Sequence, residues 1–60
     1  MIWSTERLQD RDGFWVHILH GIDIAERLGP FADGDEAFRQ EIQARIRIRL
    51  AHGPEALGDR

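Results

Sequence analysis

Residues 45–50 read RIRIRL, in which each arginine is followed by an aliphatic side chain. This alternation fits a β-strand with one charged face, but it also fits the last turns of a helix. Phe38, Ile42, Ile46 and Leu50 recur every four residues, which is the spacing of one helix face. No Gly, Pro, Asn or Asp stands just before the stretch to start a strand. The stretch is therefore predicted to be helical.

The boundaries of this helix are marked on both sides. Asp33 stands three residues before Glu36, an arrangement that resembles a capping box with Asp as the cap. The pair Gly53-Pro54 is a strong stop signal, because Gly accepts the backbone conformation past a helix end and Pro cannot continue the helix. We predict a helix over about residues 34–52, followed by a tail over residues 53–60.

Apolar residues before this helix also recur at helical spacing. Spacings of three, four and seven place these residues on one side of a helix: Leu8, Trp15, Ile18, Leu19, Ile22 and Ala25. Ser4 suits a helix cap, and Gly29-Pro30 is a second stop signal. These features predict a first helix over about residues 5–28 and a turn over about residues 29–33. Gly13 either lies inside this helix or breaks it, with Asp12 capping a new start.

The predicted fold class is all-α, with residues 1–60 forming one small domain that is an antiparallel two-helix hairpin. Two helices cannot enclose so wide an apolar face, and a 60-residue chain has a marginal core. We therefore expect the hairpin to dimerise into a four-helix bundle. The alternative is a small α+β fold in which residues 44–50 form a strand that pairs with FWVHIL. The predicted assembly residues are Leu8, Trp15, Leu19, Ile22, Phe38, Ile42, Ile46 and Leu50.

Composition excludes several classes of protein. The chain has no cysteine, so disulfides, thiolate metal sites and cysteine nucleophiles are excluded. No apolar stretch approaches the roughly 20 residues of a membrane helix, and no signal peptide is visible at the start. We therefore expect a cytoplasmic protein that does not bind membranes. We also expect it not to be an enzyme, because it has no phosphate-binding glycine loop and no nucleophile motif.

Two histidines are the candidate metal ligands. His17, His20 and Asp23 stand at steps of three, so neighbouring members could share a zinc ion on a helix. The spacing matches neither HExxH nor the Glu-x-x-His motif of di-iron bundles. We therefore predict no native metal and no cofactor. The alternative role for His17 and His20 is pH sensing at a subunit contact, because imidazole changes charge near neutrality.

Charge distribution leaves two functions open. Residues 1–36 carry three arginines against eight acids, whereas residues 37–52 carry four arginines against one acid. A net charge of −3 argues against general adhesion to nucleic acid. The sequence therefore predicts a protein-interaction module, acting as an adaptor, regulator or accessory subunit through helix surfaces, with a second copy or another protein as partner. The alternative is a dimeric nucleic-acid-binding regulator that uses Arg39, Arg45, Arg47 and Arg49.

Overall fold

Three strands precede a single long helix in the computed structural model, which describes residues 2–58. Strand β1 spans Trp3–Asp10, β2 spans Gly13–His20 and β3 spans Asp23–Phe31. They form one antiparallel sheet in the order β1-β2-β3. Helix α1 spans Gly34–His52, and a short 3-10 helix follows at Pro54–Ala56. The chain is therefore a small α+β fold.

The predicted first helix over residues 5–28 is wrong, and with it the all-α hairpin and the four-helix bundle. Two-residue turns at residues 11–12 and 21–22 divide this segment into strands. The helical spacing of the apolar residues arose because β2 carries apolar side chains on both of its faces. Apolar residues at neighbouring positions, such as Trp15 and Val16, therefore produced the same spacings as the broad apolar face of a helix.

Glycine is required where the first turn meets β2. Gly13 has a φ of 139°, and a Cβ atom at this position would lie 2.6 Å from the backbone oxygen of Phe31. Gly13 thus ends the turn and lets β3 pass close to the start of β2. The predicted helix stop at Gly29-Pro30 lies instead inside β3, in a region where the pairing of β3 with β2 is irregular.

Helix α1 is present where the sequence predicted it. The side chain of Asp33 accepts a hydrogen bond of 2.8 Å from the backbone N–H of Glu36, as a helix cap does. At the other end the backbone N–H of Gly53 donates to the oxygen of Arg49 at 2.8 Å. The stretch RIRIRL is helical, so the alternative strand at residues 44–50 is wrong although its α+β class is right.

A small core lies between α1 and one face of the sheet. The buried apolar side chains are Val16, Ile18, Ala37, Ala44 and Ile48. The tail closes one end of this layer, because Leu57 forms a parallel bridge with Trp3 and the N–H of Gly58 donates to the oxygen of Trp3 at 2.7 Å. The indole of Trp3 is stacked between the imidazoles of His20 and His52, at centroid distances of 4.3 and 4.8 Å.

Polar contacts fix the direction of α1 over β1. The carboxylate of Glu41 accepts from the Thr5 hydroxyl at 2.8 Å and lies 3.0 Å from Nε of Arg7. His52, the last residue of α1, lies instead beside Trp3, at the start of β1. The helix therefore runs antiparallel to β1, with the level of Arg7 near the first third of the helix.

Candidate functional site

An apolar stripe lies along the exposed side of α1. We define the helix stripe as Phe38, Ile42, Ile46 and Leu50, whose exposed fractions are 47, 41, 47 and 83%. The core side of α1 is formed instead by Ala37, Ala44 and Ile48. Because apolar side chains at four-residue spacing form a continuous band, the stripe resembles one side of a helix–helix contact.

The stripe begins beside β1 and turns away from the sheet along the helix. The guanidinium of Arg7 lies 4.9 Å from the centre of the Phe38 ring, which places Phe38 on the β1 side of α1. Successive residues of a helix turn by about 100°, so each step of four advances the stripe by about 40°. Phe38 and Ile42 therefore flank β1, whereas Leu50 points out into solvent.

Charge is divided along the same helix. Residues 33–42 hold four acids against one arginine, whereas residues 43–52 hold three arginines and no acid. Both the acidic start and the basic end also suit the helix dipole. A second copy of α1 placed antiparallel would set the acidic half of each helix beside the basic half of the other.

The face of the sheet opposite α1, which we call the open face, carries a row of polar side chains across all three strands. Glu6, His17 and Arg27 are direct cross-strand partners. The Nε of Arg27 donates to Nε2 of His17 at 3.2 Å, and Nδ1 of His17 lies 3.6 Å from the Glu6 carboxylate. His17 is buried within this row.

A tryptophan packs beside this row on the open face. The Arg27 guanidinium lies 4.6 Å from the Trp15 ring centre, and the Trp15 indole donates to the Asp10 carboxylate at 3.0 Å. This indole hydrogen bond, together with one from the backbone N–H of Asp12, holds the pKa of Asp10 below its ordinary value. The open face is therefore a well-paired polar surface with apolar side chains around it.

The structure divides the predicted assembly residues between these surfaces. Leu8, Trp15 and Leu19 lie on the open face, and Ile22 is 95% exposed in the turn between β2 and β3. The other four residues form the helix stripe. None of the eight belongs to the buried core. The structure therefore divides these apolar residues among the helix stripe, the open face and a turn, where a hairpin would have had one surface.

The candidate metal ligands are not brought together. Positions 17 and 20 are an odd number apart in one strand, so their side chains point to opposite faces of the sheet. His17 joins the row on the open face, whereas His20 stacks on Trp3 under the helix. No group of three or more potential metal ligands occurs among residues 2–58.

The arginines proposed for nucleic-acid contact point in different directions. Arg45 donates to the Thr5 hydroxyl at 3.2 Å, so it is engaged within the fold. Arg39, Arg47 and Arg49 are exposed. Around the helix axis, Arg47 is rotated by about 80° from Arg39 in one direction and Arg49 by about 80° in the other. These three arginines therefore form no single basic row.

One small pocket lies where α1 begins beside β1 and β2. Its volume is about 190 Å³, below the roughly 300–1,000 Å³ of ordinary small-molecule sites. It is lined by Arg7, Leu8, Gln9, Phe14, Gly34 and Ala37.

The described residues form no pair of the kind that activates a hydroxyl nucleophile. Within residues 2–58 no hydrogen bond joins a hydroxyl to an imidazole, so neither a Ser–His nor a Thr–His pair is formed.

Sequence reasoning missed the polar contacts that depend on strand register. The row of Glu6, His17 and Arg27 is visible only once both hairpins are aligned. The contact of Glu41 with Thr5 joins residues 36 positions apart. Neither contact has a local signal in the sequence, because residues 4–7 of β1 are all polar and show no alternation.

Comparison with known proteins adds no relative. No family model, no curated protein and no solved structure matches this chain.

In residues 2–58 no helix has the length and apolar character needed to cross a membrane.

Proposed function

We propose that this chain is a non-enzymatic protein-interaction module that associates with a second copy of itself through the helix stripe. The observation that carries the proposal is the exposure of four large apolar side chains in one continuous band on α1. Single exposed apolar residues are common on soluble proteins, but a contiguous band marks an interaction surface.

The small size of the core supports the same proposal. Only five apolar side chains are buried in residues 2–58, and two of them are alanines. A single core in so short a chain supplies roughly 3–5 kcal/mol at best. Burial of the stripe against another molecule removes more apolar surface from water and stabilises the folded chain.

Charge favours a second copy as the partner. The two halves of α1 carry net charges of opposite sign, so an antiparallel pair of identical helices is complementary while a parallel pair is not. A two-fold axis perpendicular to α1 generates this antiparallel arrangement. A second copy thus supplies an apolar surface against which residues of the stripe can be buried.

Sedimentation equilibrium at micromolar concentrations tests the proposal. We expect the wild type to show a monomer–dimer equilibrium, and Ile42→Glu to raise the dissociation constant at least tenfold by placing a charge in the contact. The matched control is Gln43→Glu, which adds the same charge at an exposed neighbouring position outside the stripe. Circular dichroism confirms that both variants are folded. A wild type that stays monomeric, or equal effects of the two variants, contradicts the proposal.

A further inference from the structure

We infer that the second copy joins along the edge of β1, so that two three-stranded sheets become one continuous six-stranded sheet with both helices on the same face. The inference rests on the proposed function and specifies the geometry of that association. It follows from the backbone of β1, from the position of the helix stripe above it and from the spacing of helices on a sheet.

The outer edge of β1 presents a row of backbone groups. The N–H of Gly21 donates to the oxygen of Ile2, so the even-numbered residues of β1 are those that bond to β2. The odd-numbered residues therefore direct their N–H and C=O groups outward. Gly58 bonds to the first of these, Trp3, but within residues 2–58 no backbone partner reaches Thr5, Arg7 or Gln9. This part of the edge can accept a strand.

The opposite edge of the sheet is less suited to pairing. The pairing of β3 with β2 has two irregularities, and β3 contains Pro30, which has no N–H to donate. Bulges and prolines are features that protect edge strands from association. Of the two edges, β1 is therefore the more regular, and beyond Trp3 no residue among 2–58 pairs with its outer side.

The strand and the helix select the same two-fold axis. The open part of the β1 edge, from Thr5 to Gln9, is centred on Arg7. On α1 the level of Arg7 lies between Phe38 and Glu41, which both contact it. A two-fold axis at that level passes near helix residue 40, and it places Phe38 of each copy opposite Ile42 of the other. The same axis therefore brings Phe38 and Ile42 into contact with the second copy and pairs the open part of the β1 edge with the β1 edge of that copy.

The spacing of the layers allows contact between the helices. α1 packs against all three strands and most extensively against β1, so its axis is set back from β1 by about one half to one strand spacing of about 4.8 Å. Pairing of two β1 strands then puts the two helix axes about 10–14 Å apart, against the roughly 8–10 Å of packed helices. The two helices therefore face each other across the new strand pair.

Charges at this contact are balanced. The axis would bring Arg7 of the two copies together, but each Arg7 is already paired with its own Glu41 at 3.0 Å. Asp35 in the first turn of α1 comes level with Arg45 of the second copy, since both lie five residues from the axis. This pairing adds an attraction across the contact.

Amide hydrogen exchange tests the edge directly. At concentrations where the dimer predominates, we expect the amides of Thr5, Arg7 and Gln9 to exchange at least tenfold more slowly than in the folded monomer of Ile42→Glu. Gln9→Pro removes one outward N–H and should weaken the wild-type dimer about tenfold, since an edge strand tolerates proline where the N–H points away from its sheet. Gln9→Ala, which keeps the N–H, is the matched control.

A distance measurement distinguishes this dimer from one held by the helices alone. The chain has no cysteine, so Leu50→Cys provides a single site for a spin label. With the axis near residue 40 the two Cα atoms of residue 50 lie about 32 Å apart, whereas an antiparallel helix pair that uses the whole stripe, centred on residue 44, gives about 20 Å.

The outcomes separate the two proposals. A dimer with the longer distance and slow edge amides supports the inference. A dimer with the shorter distance and fast edge amides overturns the inference but leaves the proposed function in place. A chain that is monomeric at all concentrations overturns both. Slow edge amides that do not depend on concentration would show that the chain's own C-terminal residues cover the edge, which also overturns the inference.

Discussion

At the scale of single residues, Gly13 has the strictest steric requirement in the first hairpin. Its φ of 139° is open only to glycine at low cost, and an added Cβ would lie 2.6 Å from the Phe31 oxygen. We expect Gly13→Ala to lower the free energy of unfolding by at least about 3 kcal/mol, through backbone strain together with overpacking. Urea denaturation followed by circular dichroism measures the loss.

Gly53 provides the control for this substitution. It also has a positive φ, of 94°, but no atom lies within 4 Å of an added Cβ. Gly53→Ala should therefore cost only the backbone strain, about 1–3 kcal/mol, and less than Gly13→Ala. Equal losses for the two variants would show that the close approach of β3 is not what requires glycine at residue 13.

The carboxyl of Asp10 should make the folding stability of the chain depend on pH in the acid range. The indole of Trp15 and the backbone N–H of Asp12 hold the folded-state pKa of Asp10 below its ordinary value of 3.8. A carboxyl whose pKa is lower in the folded state stabilises the fold fully above its unfolded pKa, and this contribution is lost as the pH falls through the folded pKa. Asp10→Asn should therefore reduce the loss of stability between pH 6 and pH 2.5, as measured by urea midpoints.

The control for Asp10 removes the same charge from the same turn. Asp12→Asn changes a carboxyl that receives no hydrogen bond from any side chain within residues 2–58. Its acid dependence should stay close to that of the wild type. If Asp10→Asn also leaves the acid dependence unchanged, the indole hydrogen bond does not persist in solution.

At the scale of elements, Glu41 joins α1 to β1. Its carboxylate is half-buried and contacts both the Thr5 hydroxyl and the Arg7 guanidinium. We expect Glu41→Ala to lower the free energy of unfolding by about 1–3 kcal/mol, because the variant leaves polar partners without an acceptor under the helix. Gln43→Ala, on the exposed side of α1, should change it by less than about 0.5 kcal/mol. A smaller loss for Glu41→Ala than for Gln43→Ala would contradict this role.

The sequence specified α1 but not the strands that precede it. Asp33 and Gly53 are local signals, and local signals determine where a helix begins and ends. In β1 to β3 the deciding features were the two turns. Asp12-Gly13 is a hairpin signal in front of the apolar run that starts at Phe14. The prediction took Gly13 only as a possible break in a helix, because the spacing of Trp15, Ile18 and Leu19 favoured a helix. A strand with both faces apolar matches the helical pattern over one or two turns, so spacing alone could not separate them.

The helix stripe was more predictable than the sheet. Phe38, Ile42, Ile46 and Leu50 form one band in any structure where residues 34–52 are helical, so the stripe followed from the sequence. The open face and the β1 edge did not, because both depend on pairing between distant residues. Predictions about helix surfaces therefore carry over to the α+β fold, while those about residues 5–28 had to be replaced.

At the scale of the whole molecule, charge argues against nucleic acid as the partner. The net charge is −3, and the exposed arginines of α1 form no single row. We expect no band shift with duplex DNA at about 150 mM salt, where phosphate contacts are strongly weakened. A shift that disappears in the double variant Arg47→Ala, Arg49→Ala but remains in Arg11→Ala would contradict this expectation and favour the nucleic-acid alternative.

Association and folding should be linked throughout this molecule. A partner that binds only the folded chain stabilises it by mass action, so the melting temperature of a dimer rises with protein concentration. Because the core is small, we expect this rise to be several degrees between about 5 and 500 μM for the wild type. Ile42→Glu should melt at one temperature across the range, and Gln43→Glu should behave like the wild type. Differential scanning calorimetry makes the measurement. A wild-type melting temperature that does not change with concentration would mean that the exposed stripe is not covered by a second copy.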